Sequence, residues 1–303
     1  MQITQSPKVA AEYIQQGKLV LFPTETVYGI GASAFIESAC LQIYKVKNRP
    51  QDNPFIIHVS SVEEIFLYAK VEEYYKDLIK ALVPGPITFV LPKRETRLFS
   101  TGLPTIALRV PDHPLVLEFL ALAGPVAAPS ANLSGKPSIT LKSDLLVEFQ
   151  GKVDLFLEGN EPNIGIESTV VDLTSPEPTL LRPGKVTYSR LLKYLPNIKK
   201  NNYKKIDKPL SPGLKYRHYS PNCKVLWYEG EILQPELSGF LGFSLKKTKL
   251  NVIVVDNLEY MRKLYSFFIE CDRLNLSFAY CEKPLEDEFA DVLYNRIEKA
   301  MGM

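Results

Sequence analysis

The chain has 303 residues, 46% hydrophobic and 23% charged, with a formal net charge of +2. That length suggests two domains of about 150 residues each, and the composition is that of an ordinary globular protein. The balanced charge excludes a strongly basic coat for nucleic acid or membrane surfaces, and no apolar run approaches the ~20 residues of a membrane span. The start, MQITQSPKVAAEY, lacks an apolar signal core, so the chain is expected to stay in the cytoplasm. Cys40, Cys223, Cys271 and Cys281 form no C-x-x-C pair and read as reduced core residues. His58, His113 and His218 lie too far apart to make a metal-binding pair on one helix.

Strands and helices alternate along the sequence. VAAEYIQQG predicts a short helix ended by Gly17, and LVLFP a buried strand stopped by Pro23. ESACLQIYKVK puts Cys40, Ile43, Tyr44 and Lys47 on one side of a helix. FIIHVS reads as a strand. SVEEIFLYA and EEYYKDLIKALV read as helices, with Ser61 and Glu64 in the S-x-x-E capping arrangement. ITFVLP, TIALRVP, PVAAPSA, LFLEG, STVVDL and TLLRPG read as short strands punctuated by Pro or Gly. So many short strands predict a strongly twisted mixed sheet flanked by helices, not a regular parallel sheet.

The stretch 195–222 is rich in Lys, Asn and Pro with little periodicity, and reads as a linker. Beyond it KVLWYEG, SGFLGFSL, NVIVVD and LSFAYCE predict strands, and YMRKLYSFFIECDRL and EDEFADVLYNRIEKAM amphipathic helices. The expected division is 1–195, a linker 196–222, and a small α/β domain 223–303.

Several segments carry polar groups suited to anions. In KVKNRP, Pro50 favours an extended Arg49; if Lys47 is extended too, both cations leave one face and converge on a polyanion. The plainer reading is a solvated helix end. PSANLSGKPS offers Ser130, Asn132, Ser134 and the Gly135 amide after an apolar strand, where open α/β sheets tend to bind ligands; a turn that bonds only itself is the alternative. Arg109, inside an apolar strand, needs an anion if buried, whether a carboxylate of the chain or of a substrate. His58 on its strand reads most simply as a satisfied core residue. Ser168 and Thr169 are strand caps or ligand donors. Gly29, Gly31 and Ala34 make a weak G-x-G-x-x-A pattern in the wrong context for a dinucleotide turn. There is no P-loop and no G-x-S-x-G elbow. In SPGLKYRHYSP, Tyr216 and Tyr219 interleave with Lys215, Arg217 and His218, a pattern that stacks on a base while meeting phosphates, or else a solvated linker. The lysines from Lys199 to Lys208 read as solvated.

Taken jointly, PTETVYGIGA, KVKNRPQDNP, PGPITFVLP, IALRVPDHP, PSANLSGKPS, GIESTVVD and LLRPG resemble the YrdC-domain family over residues 3 to 195, and SPGLKYRHYSP resembles the linker of its long, two-domain threonylcarbamoyl-AMP synthases. The resemblance implies a YrdC-like domain followed by a small Rossmann-like one. It implies synthesis of threonylcarbamoyl-AMP and pyrophosphate from L-threonine, bicarbonate and ATP with magnesium held by the phosphates, by a monomer. A downstream transferase would use the product on a tRNA adenosine beside the anticodon, with tRNA itself a candidate partner. By the same resemblance, ATP would be bound by Lys47, Arg49, Asn53, Thr105, Asn132, Thr140, Arg182, Tyr216 and His218, and threonine by Thr26, His58, Arg109, Ser130 and Ser168. No protein nucleophile is implied. An RNA-binding module without adenylation is the rival reading. A carbamoyl-transfer domain of hydrogenase maturation is a further one, but it would bring cysteine zinc motifs that this sequence lacks.

Overall fold

The computed structural model describes residues 1–200 and 218–302. In chain order come β1 (Gln2–Thr4), α1 (Pro7–Gln15), β2 (Val20–Phe22), β3 (Gly29–Ser33), α2 (Glu37–Lys47) and β4 (Ile56–His58). Next are α3 (Val62–Tyr68), α4 (Glu73–Leu82), β5 (Ile87–Pro92), β6 (Thr105–Arg109), α5 (Pro114–Ala123), β7 (Val126–Ala128) and α6 (Lys142–Phe149). Then follow β8 (Leu155–Leu157), β9 (Thr169–Asp172), β10 (Thr179–Arg182), α7 (Tyr188–Leu192) and β11 (Lys199–Lys200). Among the described residues these strands form one 11-stranded mixed sheet, ordered β1-β8-β2-β3-β7-β4-β6-β5-β9-β10-β11.

Period-two alternation divides the apolar residues of this sheet between two layers. Val20 and Phe22 of β2, Val126 of β7 and Leu155 of β8 pack with Ala10 and Ile14 of α1 and Phe119 of α5. Leu21, Ala127 and Phe156, one position along, join Cys40 and Ile43 of α2, Ile79 of α4 and Phe149 of α6. The first layer covers only half of its face. Over the other half Ile56, Val90, Ala107, Val170 and Leu181 form a small cluster of their own, and this is where a cleft opens.

Local signals explain many boundaries. Ser6 caps α1 with Pro7 at its first turn, and Gly17 adopts φ +75 just past the end. α2 ends where Asn48 turns left-handed at φ 50. Ser61 accepts from the Glu64 amide, but the Glu64 carboxylate reaches the amide and hydroxyl of Ser60 at 2.6 Å, one residue earlier than a capping box predicts. The periodicity misses α5, because PLVLEFLALA is apolar on almost every side. It also misses β3: Gly29 and Gly31 lie in a buried strand, and a Cβ on Gly31 would come within 2.6 Å of Val126 and 2.8 Å of Phe22. Those glycines serve close sheet packing.

The second sheet is parallel and ordered β12-β15-β13-β14, from β12 (Lys224–Trp227), β13 (Ser238–Gly242), β14 (Leu250–Ile253) and β15 (Phe278–Cys281). It packs on α8 (Asn257–Arg273) and α9 (Ala290–Met301), as the sequence predicts. Its core also takes in Val27, Ile166 and Tyr219 from outside the second sheet. The stretch that reads as a linker begins inside the first unit: Leu195 and Ile198 are buried, and Lys199–Lys200 pair with β10. Lys199 and Lys200 remain half exposed but meet Glu177 and Asp291, each at 2.5 Å. Among the described residues no helix is long and apolar enough to cross a membrane.

Candidate active site

The cleft lies on the uncovered face of the first sheet, lined there by Ile56, His58, Arg109 and Ala128. It does not sit outside a common row of strand C-termini. β4 runs parallel to β6 but antiparallel to β7, so the loop after β7 leaves beside Ile56 while His58 sits at the other end of its strand. His58 pairs in register with Arg109, which places both side chains on the cleft face.

Three cations converge from separate elements. Lys47 belongs to the last turn of α2 and is not extended; Asn48 makes the bend that directs the chain on to Arg49. The helix-end reading is right about position and wrong about solvation, since Lys47 is 1% exposed. Its ammonium donates to the backbone carbonyls of Ser130, at 2.6 Å, and Asn132. Burial, then neighbouring Arg49, pulls it well below the ordinary lysine range. Arg49 donates to the carbonyls of Asn53 and Pro54 at 3.2 and 3.1 Å, and burial lowers it to about 10. Arg182, ending β10, donates to the carbonyl of Ser168 at 3.0 Å and its hydroxyl at 3.2 Å. Ser168 in turn meets Thr88 at 2.8 Å.

The loop after β7 does bond itself, and it lines the cleft as well. Ser130 donates to Asn132 at 2.6 Å, and the Asn132 amide donates to the carbonyls of Leu133 and Lys136. Ser134 is tied to the Lys47 carbonyl at 2.8 Å. Helix end and loop therefore form one unit.

On the far side Arg109 meets a carboxylate of the chain. Glu25 lies 2.8 Å away, yet neither its oxygens nor Arg109 Nε has an aligned hydrogen bond. His58 Nδ1 is likewise buried without a partner. Burial, then the charge of Arg109, pushes its imidazole down to about 3. The imidazole is therefore neutral at physiological pH, beside an arginine whose donors are incompletely used.

Of the residues implied by resemblance, Lys47, Arg49, His58, Arg109, Ser130, Asn132, Ser168, Arg182 and His218 line this cleft. Thr26 does not: it is fully buried behind Thr24, their hydroxyls 2.7 Å apart, and Thr24 takes the lining position. Asn53, Thr105 and Thr140 are also outside the lining, though their side-chain polar atoms are buried without partners. Tyr216 lies outside the described residues. Tyr219, singled out with Tyr216 in SPGLKYRHYSP, does line the wall; sequence reading missed Thr24, Tyr28, Ser138 and Glu167 there, and Glu25 behind Arg109. Glu167 and Glu25 carried a usable signal, since each is an acidic residue within an otherwise apolar or hydroxylic motif, the same signal that marks Arg109.

A twisted mixed sheet with one half-face left open, walled by buried cations and short hydroxyl donors, defines an α/β protein with a cleft suited to an anionic ligand. Comparison with known proteins carries this further. The Sua5_yciO_yrdC family model, described as telomere recombination, matches residues 12–184, and the model of the threonylcarbamoyl-AMP synthase C-terminal domain matches residues 186–302. The chain is 38% identical to threonylcarbamoyl-AMP synthase of Pyrococcus abyssi over 97% of this chain and 94% of that one. It is 39% identical to the Bacillus subtilis enzyme of the same name over 75% and 68%. The crystal structure of P. abyssi Sua5 complexed with L-threonine superposes with a TM-score of 0.94 at 36% identity, covering 100% of this chain and 98% of that one. The chain belongs to the Sua5_yciO_yrdC family, in the form that carries the Sua5 C-terminal domain.

Proposed function

We propose that this protein makes threonylcarbamoyl-AMP from L-threonine, bicarbonate and ATP. Threonine amine and bicarbonate lose water to form an N-carboxylate. A carboxylate oxygen then attacks the α-phosphorus of ATP, the bond to the β-phosphate bridge breaks, and pyrophosphate leaves. The nucleophile belongs to the substrate, so the protein's task is positioning and stabilising charge on phosphoryl oxygens. The observation that carries this reading is the group Lys47, Arg49 and Arg182, buried together while donating to neutral oxygens. The family membership supplies the chemistry.

Lys47, Arg49, Asn132 and Arg182 would hold the phosphates, with His218 and Tyr216 closing over the nucleotide. Arg109 would take the threonine carboxylate, aided by Ser130, Ser168 and His58, with Thr26 acting through Thr24. Asn53, Thr105 and Thr140, whose side-chain polar atoms have no partner, would serve the rest of the nucleotide. Glu167 in the cleft wall and Glu25 behind Arg109 are engaged with Arg296 and Arg109 respectively, so magnesium would be carried by the phosphates, where it neutralises their charge. The product would pass to a transferase acting on tRNA in the cytoplasm. The division into a catalytic region 1–195, extended by the edge strand to Lys200, a connecting segment to 222 and a C-terminal domain 223–303 belongs to the same proposal.

The test is pyrophosphate release with threonine, bicarbonate and ATP each omitted in turn. Release that requires all three is expected. Release indifferent to threonine would sink the substrate assignment, and salt-sensitive RNA binding without turnover would favour a binding module.

A further inference from the structure

One buried network joins the C-terminal helices to the cleft wall. Glu167 is 6% exposed and Arg296 fully buried. Glu167 Oε1 accepts from Ser138 at 2.5 Å, and Oε2 from Tyr265 at 2.9 Å and Arg296 Nε at 3.0 Å. Arg296 also donates to the Pro183 carbonyl at 2.9 Å, next to Arg182, and its guanidinium lies 5.3 Å from the centre of the Tyr219 ring. That ring stacks on Tyr265 at 5.4 Å and adjoins His218 at 5.6 Å. The backbone is engaged as well. Gly165 adopts φ +86, and a Cβ there would come within 2.4 Å of Arg262 Cα, so only glycine lets α8 press so closely on this loop. On its other side the loop donates from Ile164 and Gly165 to the carbonyls of Glu25 and Thr26, at 2.9 and 3.1 Å.

Every partner in this network adjoins a cleft residue. Ser168 follows Glu167 and receives Arg182; Ser138 lines the cleft; Glu25 faces Arg109; Tyr219 carries His218. We propose that Tyr265 and Arg296 are positioning residues for the nucleotide cleft: the C-terminal domain sets the geometry of Ser168, Arg182 and His218 by gripping Glu167 and Tyr219 from behind. Neither residue touches the ligand. This gives the C-terminal domain a part in binding, and it rests on the reading above for what fills the cleft.

The test uses the full chain with Tyr265→Phe and Arg296→Lys. Each is read by equilibrium binding of ATP without threonine, by KM and kcat for pyrophosphate release, and by circular dichroism. Both variants are expected to keep the native spectrum and to bind ATP about tenfold more weakly, the scale of one lost charge-assisted contact, with KM for ATP rising more than kcat falls. Combining Tyr265→Phe with Glu167→Gln should cost less than the sum of the two, because they share one carboxylate. Folded variants with wild-type ATP affinity and KM overturn the proposal and leave the seam as a structural contact only. If Arg296→Lys does not fold, Tyr265→Phe, which removes one hydroxyl and keeps the ring stack, decides alone. A wild-type chain that binds ATP but releases no threonine-dependent pyrophosphate would sink the proposed reaction, while the binding comparison still judges Tyr265 and Arg296.

Discussion

The cleft and the seam behind it treat buried cations in opposite ways. At the seam Arg296 is buried against the Glu167 carboxylate, with Tyr265 and Ser138 completing its bonds. In the cleft Lys47, Arg49 and Arg182 are as deeply buried but donate, among the described residues, to carbonyl and hydroxyl oxygens. Burying a cation costs free energy, which shows in the values of Lys47 and Arg49, lowered first by burial, with no ion pair to either among the described residues. The seam pairs its charge within the chain, whereas the hydrogen bonds of the cleft cations go, among the described residues, to neutral oxygens. Arg109 stands between, with a carboxylate 2.8 Å away but no aligned hydrogen bond to it.

The largest effect that would break this contrast is Arg49→Ala. Pyrophosphate release should fall by about 100-fold or more, as for loss of a donor to transition-state charge. The melting temperature of the free protein should hold or rise, because an uncompensated buried charge is removed. An unfolded variant would make Arg49 structural instead. Arg296→Met should do the reverse, costing about 3–5 kcal/mol in urea unfolding by stranding the Glu167 carboxylate. A loss below about 1 kcal/mol would mean that the seam pair contributes little.

Substrate choice probes the Arg109 side. Valine should give negligible turnover if buried groups bond the threonine hydroxyl, whereas serine, one methyl smaller, should be disfavoured by only ~10–200-fold in kcat/KM. Equal use of valine and threonine would defeat the assignment.

Acid titration sharpens the contrast further. His58 and His218 are pushed from 6.5 down to about 3, by burial first and then by Arg109 and Arg49 respectively. Between those values the unfolded chain binds protons that the folded one does not. Stability should be full above pH 6.5 and fall as pH drops toward 3, by up to about 2.7 kcal/mol per unit if both contribute. Urea unfolding at stepped pH should show the slope, and His218→Gln should halve it; an unchanged slope would mean that His218 titrates normally.

The smallest effect is in protons exchanged on binding. Lys299 is lowered to about 7 by burial and by Arg296 and Arg182, so it is mostly neutral at pH 8 in the free protein. Phosphates beside Arg182 should raise it, so ATP binding at pH 8 should take up a fraction of a proton, read by calorimetry in two buffers of different ionisation enthalpy. Proton release would contradict the placement of the phosphates.

Much of this molecule was legible in its sequence. The helix ESACLQIYKVK runs over the predicted residues as α2, and the strands FIIHVS, ITFVLP and TIALRVP form where alternation and proline punctuation put them. These signals are local. The helix PLVLEFLALA, apolar nearly all round, and the glycine-bearing strand β3 lacked them and were missed. The motifs also pointed to Lys47, Arg49, Arg109, Ser130, Asn132 and Ser168, whose polar groups stand out against apolar neighbours.

What the sequence determined by itself was most of the elements and the chemical character of the cleft, because both follow from residues a few positions apart. Only the tertiary structure decided which buried charges are paired. Glu167 meets an arginine 129 residues away and Glu25 one on β6, while Lys47 ends a helix in reach of carbonyls alone among the described residues. Whether a buried cation needs a ligand depends on what the fold brings within about 4 Å of it, and that distance is not written in the order of the residues.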